Sequence, residues 1–296
     1  MLPLVKKSFQ TTRNVLMTPT PHSSMILSIL VVRLLNKLGL LGWPLTKTFS
    51  PRIHELLFDL TGLTGTYSLI KKEEINRQSI VEINKDFLGY NITIPHKEKI
   101  LHLDDTAIPS ESVLEIGACN TVLNKNSKMY LYNTDFSGFK TYLDLVDFNF
   151  DKKSVLILGS GGSSRAIAYS LTLLKIKYHI VSRSDNDNTV SYNDISKLSS
   201  DIGTVINTTP IGMPPYQNAE LPIEWKELIN LKTVINLGYG SQNTFLNNFD
   251  DSILKYDGLG MLICQAIESF NIWTSAALST SSIYGEVLDK LEGKDD

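Results

Sequence analysis

Two stretches of this chain combine residue types at spacings that can do chemistry. Val155-Leu-Ile-Leu158 is a short apolar run. Gly159-Ser160-Gly161-Gly162-Ser163-Ser-Arg165 follows it at once, and Ala166-Ile-Ala-Tyr-Ser-Leu-Thr-Leu-Leu174 has a helical pattern. Strand, glycine turn and helix together form the opening of a dinucleotide-binding unit. The glycines let the backbone turn tightly and approach a pyrophosphate, whose charge rests on the helix N-terminus. The second stretch, Asn91-Ile-Thr93-Ile-Pro95-His96-Lys97-Glu98, sets polar side chains at the end of an apolar strand. It predicts a helix whose first turn holds Lys97, where the positive end of the dipole favours the neutral amine. A lysine so tuned can give or take a proton. Alone, Lys97 fits a solvated surface lysine better, and a glycine turn in an unrelated α/β protein is the competing reading of the loop. The flanking strand and helix favour the nucleotide.

The residues after the next expected strand choose the nucleotide. An acid there would bind the ribose 2′-hydroxyl of NAD. This chain has Ser182-Arg183-Ser184. A guanidinium and two hydroxyls suit a 2′-phosphate, and arginine can also stack on adenine. NADP is therefore expected, with the nearby Asp185 as the opposing sign and a plain surface arginine as the alternative.

The elements that must hold these residues can be read around them. Leu38-Gly-Leu-Leu41 reads as a first strand. Ser50 reads as an N-cap with Pro51 at the first helical position, followed by Ile53, Leu56, Leu57 and Leu60 at helical spacing and a stop at Gly62. Strands are expected at 67–70, 89–94, 178–181, 204–207 and 233–237. Asn133-Thr-Asp135 caps a helix carrying Phe136, Phe139, Leu143 and Val146. A last helical pattern runs from 261 to about 278. Strands alternating with helices imply a parallel, doubly wound sheet, hence an α/β fold. The glycine loop sits mid-chain, so a separate domain must precede it.

With 296 residues the chain is long enough for two cores. Apolar residues at 42%, charged residues at 20% and a net charge of −3 are ordinary for a globular protein and give no field for nucleic acid. The two cysteines, Cys119 and Cys264, have no metal-ligand or CxxC spacing; neither a metal nor a disulfide framework is expected, and a reducing cytoplasmic setting fits. Residues 1–54 carry Lys6, Lys7, Arg13, Arg33, Lys37, Lys47 and Arg52 without an acid. The apolar run at 25–32 is too short to span a bilayer. A dispensable extension over 1–36 is preferred to a targeting leader or a partner- or membrane-binding arm.

From Leu38 onward the chain resembles the shikimate dehydrogenase family. Gly42-Trp-Pro44-Leu-Thr-Lys-Thr48-Phe-Ser50-Pro51 is similar to the family's substrate-carboxylate loop, and Asn91 to Lys97 to its N-V-T-x-P-x-K motif. Ala118-Cys-Asn120-Thr121, Asn133-Thr-Asp135-Phe-Ser-Gly138, the glycine loop, Ile206-Asn207-Thr208-Thr209-Pro210-Ile-Gly212-Met213 and Asp257-Gly258-Leu-Gly260-Met261-Leu262-Ile-Cys-Gln265-Ala266 also match in order, with Phe270 and Trp273 behind them. The resemblance implies NADP-dependent, reversible reduction of 3-dehydroshikimate to shikimate in aromatic amino-acid biosynthesis before chorismate. It implies a substrate domain of residues 37–134 plus 257–296 and an NADP domain of residues 135–256, with a cleft between them.

The same resemblance implies roles. Lys97 and Asp135 would be catalytic. Thr48 and Ser50 would bind the substrate carboxylate, with Thr93, Asn120, Tyr239 and Gln265 on the rest of the ring acid. Gly159, Ser160, Gly161, Gly162, Ser163, Ser182, Arg183, Ser184, Thr209, Leu237 and Gly258 would face NADP. Each has a quieter reading: Asp135 and Ser50 as helix caps, Asn120 as a turn residue, Gln265 as a solvated helix residue, Tyr239 as a lid on the core. The chain departs from the family's H-S-x-S-P with Lys47-Thr48-Phe49-Ser50-Pro51, and from D-x-x-Y-x-P with Asn236-Leu-Gly-Tyr239-Gly-Ser241. Quinate is thus an alternative substrate, and a catalytically weak NADP- or ring-acid-binding sensor an alternative function. A homodimer is the partner expected beyond the small molecule.

Overall fold

Two patterns of burial produce two sheets. In the first half, strands with a buried centre and half-buried edges alternate with short helices: β1 (Asn36–Gly42), α1 (Ser50–Thr61), β2 (Gly65–Lys71), α2 (Arg77–Asp86), β3 (Gly89–Ile92), β4 (Ile108–Pro109), α3 (Glu111–Ile116), β5 (Thr121–Lys125) and β6 (Lys128–Tyr132), the buried centre being β1, β3 and β5. In the second half β7 (Ser154–Leu158) and β9 (Ile202–Asn207) are buried at every residue, as strands covered on both faces must be. The structure, a computed structural model, describes residues 36–45, 48–183, 189–240 and 243–293, all within one compact unit. The extension expected over 1–36 therefore lies outside the described residues except for Asn36, which opens β1, and Lys47, Ser184, Asp185 and Ser241 lie outside them too.

The first sheet has the order β2-β1-β3-β5-β6-β4 and is mixed, not the parallel sheet expected. β1 runs parallel to β2 and β3, whereas β5 is antiparallel to both β3 and β6. The reason is the β5–β6 hairpin, absent from the expected strands. Its two turn residues, Asn126 and Ser127, have φ of 53° and 58°, the left-handed pair that a tight hairpin requires. The second sheet is wholly parallel, β11-β10-β9-β7-β8, with β8 (Tyr178–Val181), β10 (Thr233–Asn236) and β11 (Leu254–Tyr256). Chain order reverses between β7 and β9, so a crevice opens at their carboxyl ends, where the glycine loop and Thr208 follow.

Three helices tie the sheets together. α4 (Asp135–Leu145) packs its Phe139 and Leu143 with Val155 and Ile157 of β7. α5 (Gly162–Leu173) follows the glycine loop. α6 (Leu259–Thr274) sends Met261 and Cys264 into that same core and Ile263, Ala266, Ile267 and Phe270 into the core beneath β1 and α1. α4 and α6 approach so closely at Gly138 that a Cβ there would lie 2.7 Å from the Gln265 Cβ. The last helical pattern is α6, which stops at Ser275 in a left-handed conformation, short of the expected 278, and α7 (Thr280–Glu292) is a further helix outside that pattern.

Local details correct three further expectations. Ser50 is the first helical residue of α1, and Phe49 holds the cap position without a side-chain bond. α4 is capped by the Asn133 side chain, which accepts from the Asp135 and Phe136 backbone amides at 3.1 and 3.3 Å; the Asp135 carboxylate is thereby left for other partners. β3 ends at Ile92, and Lys97 stands in a turn ahead of a four-residue 3-10 segment, Lys99–His102, not in the first turn of an α-helix. The device beside its ammonium is a carboxylate, described below.

Phe139 is fully buried between the second sheet and α6. Phe139→Ala is expected to lower unfolding free energy by about 3–5 kcal/mol in urea titrations, the cost of a large core cavity. A loss below about 1 kcal/mol would place the α4 stripe outside the core.

Candidate active site

The carboxyl ends of β1 and β3 in one sheet face the carboxyl ends of β9 and β10 in the other across a cavity of about 400 Å³. Thr48, Ser50, Thr93, Lys97, Asn120, Asp135, Tyr239 and Gln265 all line it. The sequence-derived catalytic and substrate residues, far apart along the chain, thus converge on one space. Ser163, Thr209, Leu237 and Gly258 from the cofactor set line it too. Among the described residues, no group of three His, Cys, Asp or Glu side chains could hold a metal ion.

At the centre, Lys97 Nζ donates to Asp135 Oδ2 at 2.6 Å, both side chains being nearly buried at 13% and 10% exposure. A buried ion pair holds only if its remaining polar capacity is met. Asn120 Nδ2 donates to the other carboxylate oxygen, Oδ1, at 2.8 Å. The amide orientation follows from chemistry, because a carboxylate only accepts and the Asn120 Oδ1 takes the Thr134 backbone N–H at 2.6 Å. Asn120, 2% exposed, thus both satisfies a turn backbone group, as its quieter reading has it, and holds Asp135. Gln265 is buried as well, its Nε2 anchored on the Leu262 carbonyl and its Oε1 3.4 Å from Asn120 Nδ2.

At one end of the cavity three hydroxyls meet. Thr48 Oγ1 donates to Ser50 Oγ at 3.1 Å, accepts from the Ser50 backbone N–H at 3.2 Å, and lies 3.3 Å from the Tyr239 hydroxyl. Phe49 backs Tyr239, ring centroids 5.8 Å apart. Burial pushes the Tyr239 phenol up from its ordinary value, with the Thr48 hydrogen bond pulling the other way. A neutral phenol among hydroxyls can donate to an anion. Tyr239 thus lines the cavity with its hydroxyl bonded to Thr48.

Sequence reasoning missed a layer of polar groups behind these. Tyr67 donates to Asn91 Oδ1 at 2.8 Å, and Asn91 Nδ2 donates to Thr121 Oγ1 at 3.0 Å and Ser269 Oγ at 2.9 Å. Thr121 in turn donates to Asn120 Oδ1 at 3.0 Å. Ser269 lies four residues after Gln265, hence on the same face of α6, which was the available signal. Glu268 beside it accepts from the Ser137 hydroxyl. Burial pushes the Glu268 carboxyl up, the Ser137 bond lowers it, and the Asp135 charge adds to the rise.

On the nucleotide side, the glycine loop leaves β7 with Gly159 at φ +104°, open only to glycine without strain. Gly159 N donates to the Val181 carbonyl at 2.9 Å, Ser164 Oγ to the Gly159 carbonyl at 2.6 Å, and Ser160 pairs with Ser182 at 3.0 Å. A Cβ on Gly161 would meet nothing within 4 Å, so the loop presents an open face at the start of α5, whose first N–H groups have no intrahelical acceptor. Arg183 is exposed at the end of β8. Asn207 Oδ1 holds the Thr209 amide at 3.0 Å and hydroxyl at 2.7 Å, and its Nδ2 reaches Asn236 Oδ1 at 2.9 Å, fixing the loops after β9 and β10 to each other. These residues fit a dinucleotide: an open glycine cradle, a helix N-terminus for the pyrophosphate, and an arginine beyond β8.

Comparison with known proteins agrees with this geometry. Residues 40–122 match the family described as the shikimate dehydrogenase substrate binding domain. The NADP(+) shikimate dehydrogenase of Staphylococcus aureus (strain bovine RF122 / ET3-1) is 33% identical over 283 residues, covering 87% of this chain and 100% of that one. Among solved structures, shikimate dehydrogenase 1 of Peptoclostridium difficile is 26% identical, with a TM-score of 0.74 over 88% of this chain and 99% of its own. Shikimate 5-dehydrogenase of Thermus thermophilus, solved with NADP(H) and shikimate, is 25% identical, with a TM-score of 0.72 over 86% of this chain and 98% of its own. With a two-domain α/β fold, a Rossmann-like second sheet and a full-length relative at this identity, the chain belongs to the shikimate dehydrogenase family.

Proposed function

We propose that this protein is an NADP-dependent shikimate dehydrogenase that reversibly reduces 3-dehydroshikimate to shikimate. The observation that carries the reading is the Lys97–Asp135 pair, bonded at 2.6 Å and facing the cavity where both sheets end. We assign residues 37–134 and 257–296 to the substrate domain and residues 135–256 to the NADP domain. Two unpaired cysteines, both buried, support the cytoplasmic setting. A homodimer is the proposed assembly.

In the mechanism, the Thr48, Ser50 and Tyr239 hydroxyls donate to the ring carboxylate. Thr93, Asn120 and Gln265 hydrogen-bond the ring hydroxyls, and neutral donors and acceptors suit a polyhydroxylated ring, since an unpaired buried hydroxyl is costly. The glycine loop from Gly159 to Gly162, the Ser163 backbone N–H, Ser182, Arg183, Ser184, Thr209, Leu237 and Gly258 would hold the cofactor, whose reduced form, NADPH, would supply the hydride. Lys97 turns an N–H toward the ketone oxygen and polarises it. As the carbonyl carbon becomes tetrahedral, the Lys97 ammonium gives its proton to the nascent alkoxide, so that the substrate leaves as an alcohol and the amine is neutral. Asp135 stabilises the ammonium before transfer and orients it throughout. In the reverse direction the neutral amine takes the alcohol proton.

An absorbance assay at the nicotinamide band, pairing shikimate and quinate with NADP and NAD, tests the whole reading. Turnover is expected to be highest with shikimate and NADP, and absence of turnover with any pair sinks it. Lys97→Ala is expected to abolish turnover while NADP binding stays within about twofold; full activity would refute the assigned role. Arg183→Ala is expected to erode the preference for NADP over NAD by about tenfold or more, a hydrogen-bonded charge pair being worth about 1.5–3 kcal/mol, and an unchanged kcat/KM ratio would count against it. Asn120→Ala removes a donor to a carboxylate and is expected to lower kcat/KM by about 10–100-fold, as read in the same assay with the unfolding midpoint as control.

A further inference from the structure

Ser163 lies in the glycine loop, where its sequence position points to the cofactor, yet its hydroxyl is turned elsewhere. Ser163 Oγ lies 3.0 Å from Lys97 Nζ and accepts from it. The contact is part of a larger one. A Cβ on the preceding Gly162 would stand 3.1 Å from the Lys97 Cβ and 3.3 Å from its Cδ, so the missing side chain is what lets α5 rest on the lysine stem. Arg165 reaches Glu98 at 3.1 Å from the same turn. The first turn of α5 thus grips residues 97–98 through Gly162, Ser163 and Arg165.

We propose that Ser163 is a positioning residue for Lys97, through which the nucleotide half of the protein aims the proton-transferring ammonium. The inference rests on the reading of Lys97 as proton donor given above. An ammonium has three N–H donors. Asp135 Oδ2 takes one at 2.6 Å and Ser163 Oγ takes a second at 3.0 Å, which leaves the third for the substrate oxygen. With Asp135 alone, Nζ can swing about a single bond. With two acceptors, one at the start of α4 and one at the start of α5, the third N–H has a fixed direction, and proton transfer depends on such alignment. At 13% exposure Lys97 has little water to replace a lost partner. The cofactor loop and the catalytic lysine are therefore joined by a side chain.

The test compares the full-length enzyme carrying Ser163→Ala, Ser163→Thr, Asp135→Asn and the Ser163→Ala/Asp135→Asn pair. Steady-state kinetics with shikimate are combined with calorimetric titration by NADP. Ser163→Ala is expected to lower kcat about fivefold while KM for shikimate and the NADP dissociation constant stay within about twofold. Ser163→Thr, which keeps the hydroxyl, is expected to restore kcat. The double variant is expected to lose less than the product of the single losses, because both groups hold one ammonium. An unchanged kcat in Ser163→Ala overturns the proposal, most plainly if NADP binding weakens about tenfold as for a phosphate ligand. So does failure of Ser163→Thr to restore kcat, or multiplicative losses in the pair. Lys97→Ala run alongside separates the two levels: if it is inactive the proton-donor reading stands whatever Ser163 does, and if it is fully active that reading falls first.

Discussion

Holding an ammonium against a carboxylate with little water present constrains everything else in this molecule. The Lys97–Asp135 pair is nearly buried, and desolvating two charges is costly unless their remaining hydrogen-bonding capacity is met. Asp135 meets its share through Asn120, and Asn120 meets its own through Thr134 and Thr121. The chain of partners continues to Ser269 on α6, to Asn91 on β3 and to Tyr67 on β2. Few of these groups face the cavity, yet an orphan among them would weaken the pair. The polar layer behind the site therefore belongs to the site's design as much as the residues that line it.

The topology serves the same constraint. Lys97 follows β3 and Asp135 opens α4, so one charge belongs to the first sheet and the other to the helix that leads into the second. A parallel sheet opens its crevice where strand order reverses, and here that point lies between β7 and β9, facing the ends of β1 and β3. The chain returns through α6, whose two faces enter two cores and whose Gln265 packs against Gly138 of α4. Close packing of α4 on α6 fixes the distance between the sheets. The mid-chain position of the glycine loop follows: the first sheet is built, the second is threaded in, and a single helix closes both.

Much of this was legible in the sequence, and the failures have physical causes. The glycine loop, strands β7, β8, β9 and β10 of the second sheet and the helix from Ser50 carry local signals, namely apolar runs and a 3.6-residue period, whereas the three-residue, largely exposed edge strand β11 carries none and was not expected. The β5–β6 hairpin was legible in principle, since Thr121-Val-Leu-Asn-Lys125 and Lys128-Met-Tyr-Leu-Tyr132 flank two turn residues, but the Asn-Ser pair is a weaker mark than Asn-Gly. The helix expected at Lys97 failed because the segment folds on long-range partners: the Lys97 carbonyl accepts from the Cys119 amide, a contact no local pattern encodes. Ser163 shows the same limit. Its motif named one partner class, and only the meeting of two halves supplied another.

Two departures from the family motifs, Thr48 and Gly240, contact or adjoin Tyr239. Thr48 keeps the hydroxyl expected at its position and adds a methyl group, and the hydroxyl is already shared among Ser50 and Tyr239. Gly240, at φ +89°, stands where the family motif has a free position before its proline, and the loop gains support instead from Phe49 against Tyr239. A hydroxyl cluster formed before any anion arrives has its donors gathered in one place. In the proposed role, a carboxylate bound there would exchange hydroxyl–hydroxyl bonds for charge-assisted ones, which are stronger. In the proposed function, discrimination between ring acids that differ by one hydroxyl would fall to the space the Thr48 methyl leaves and to whether the additional hydroxyl finds a partner, because an unpaired polar group in such a pocket costs more than a missing contact.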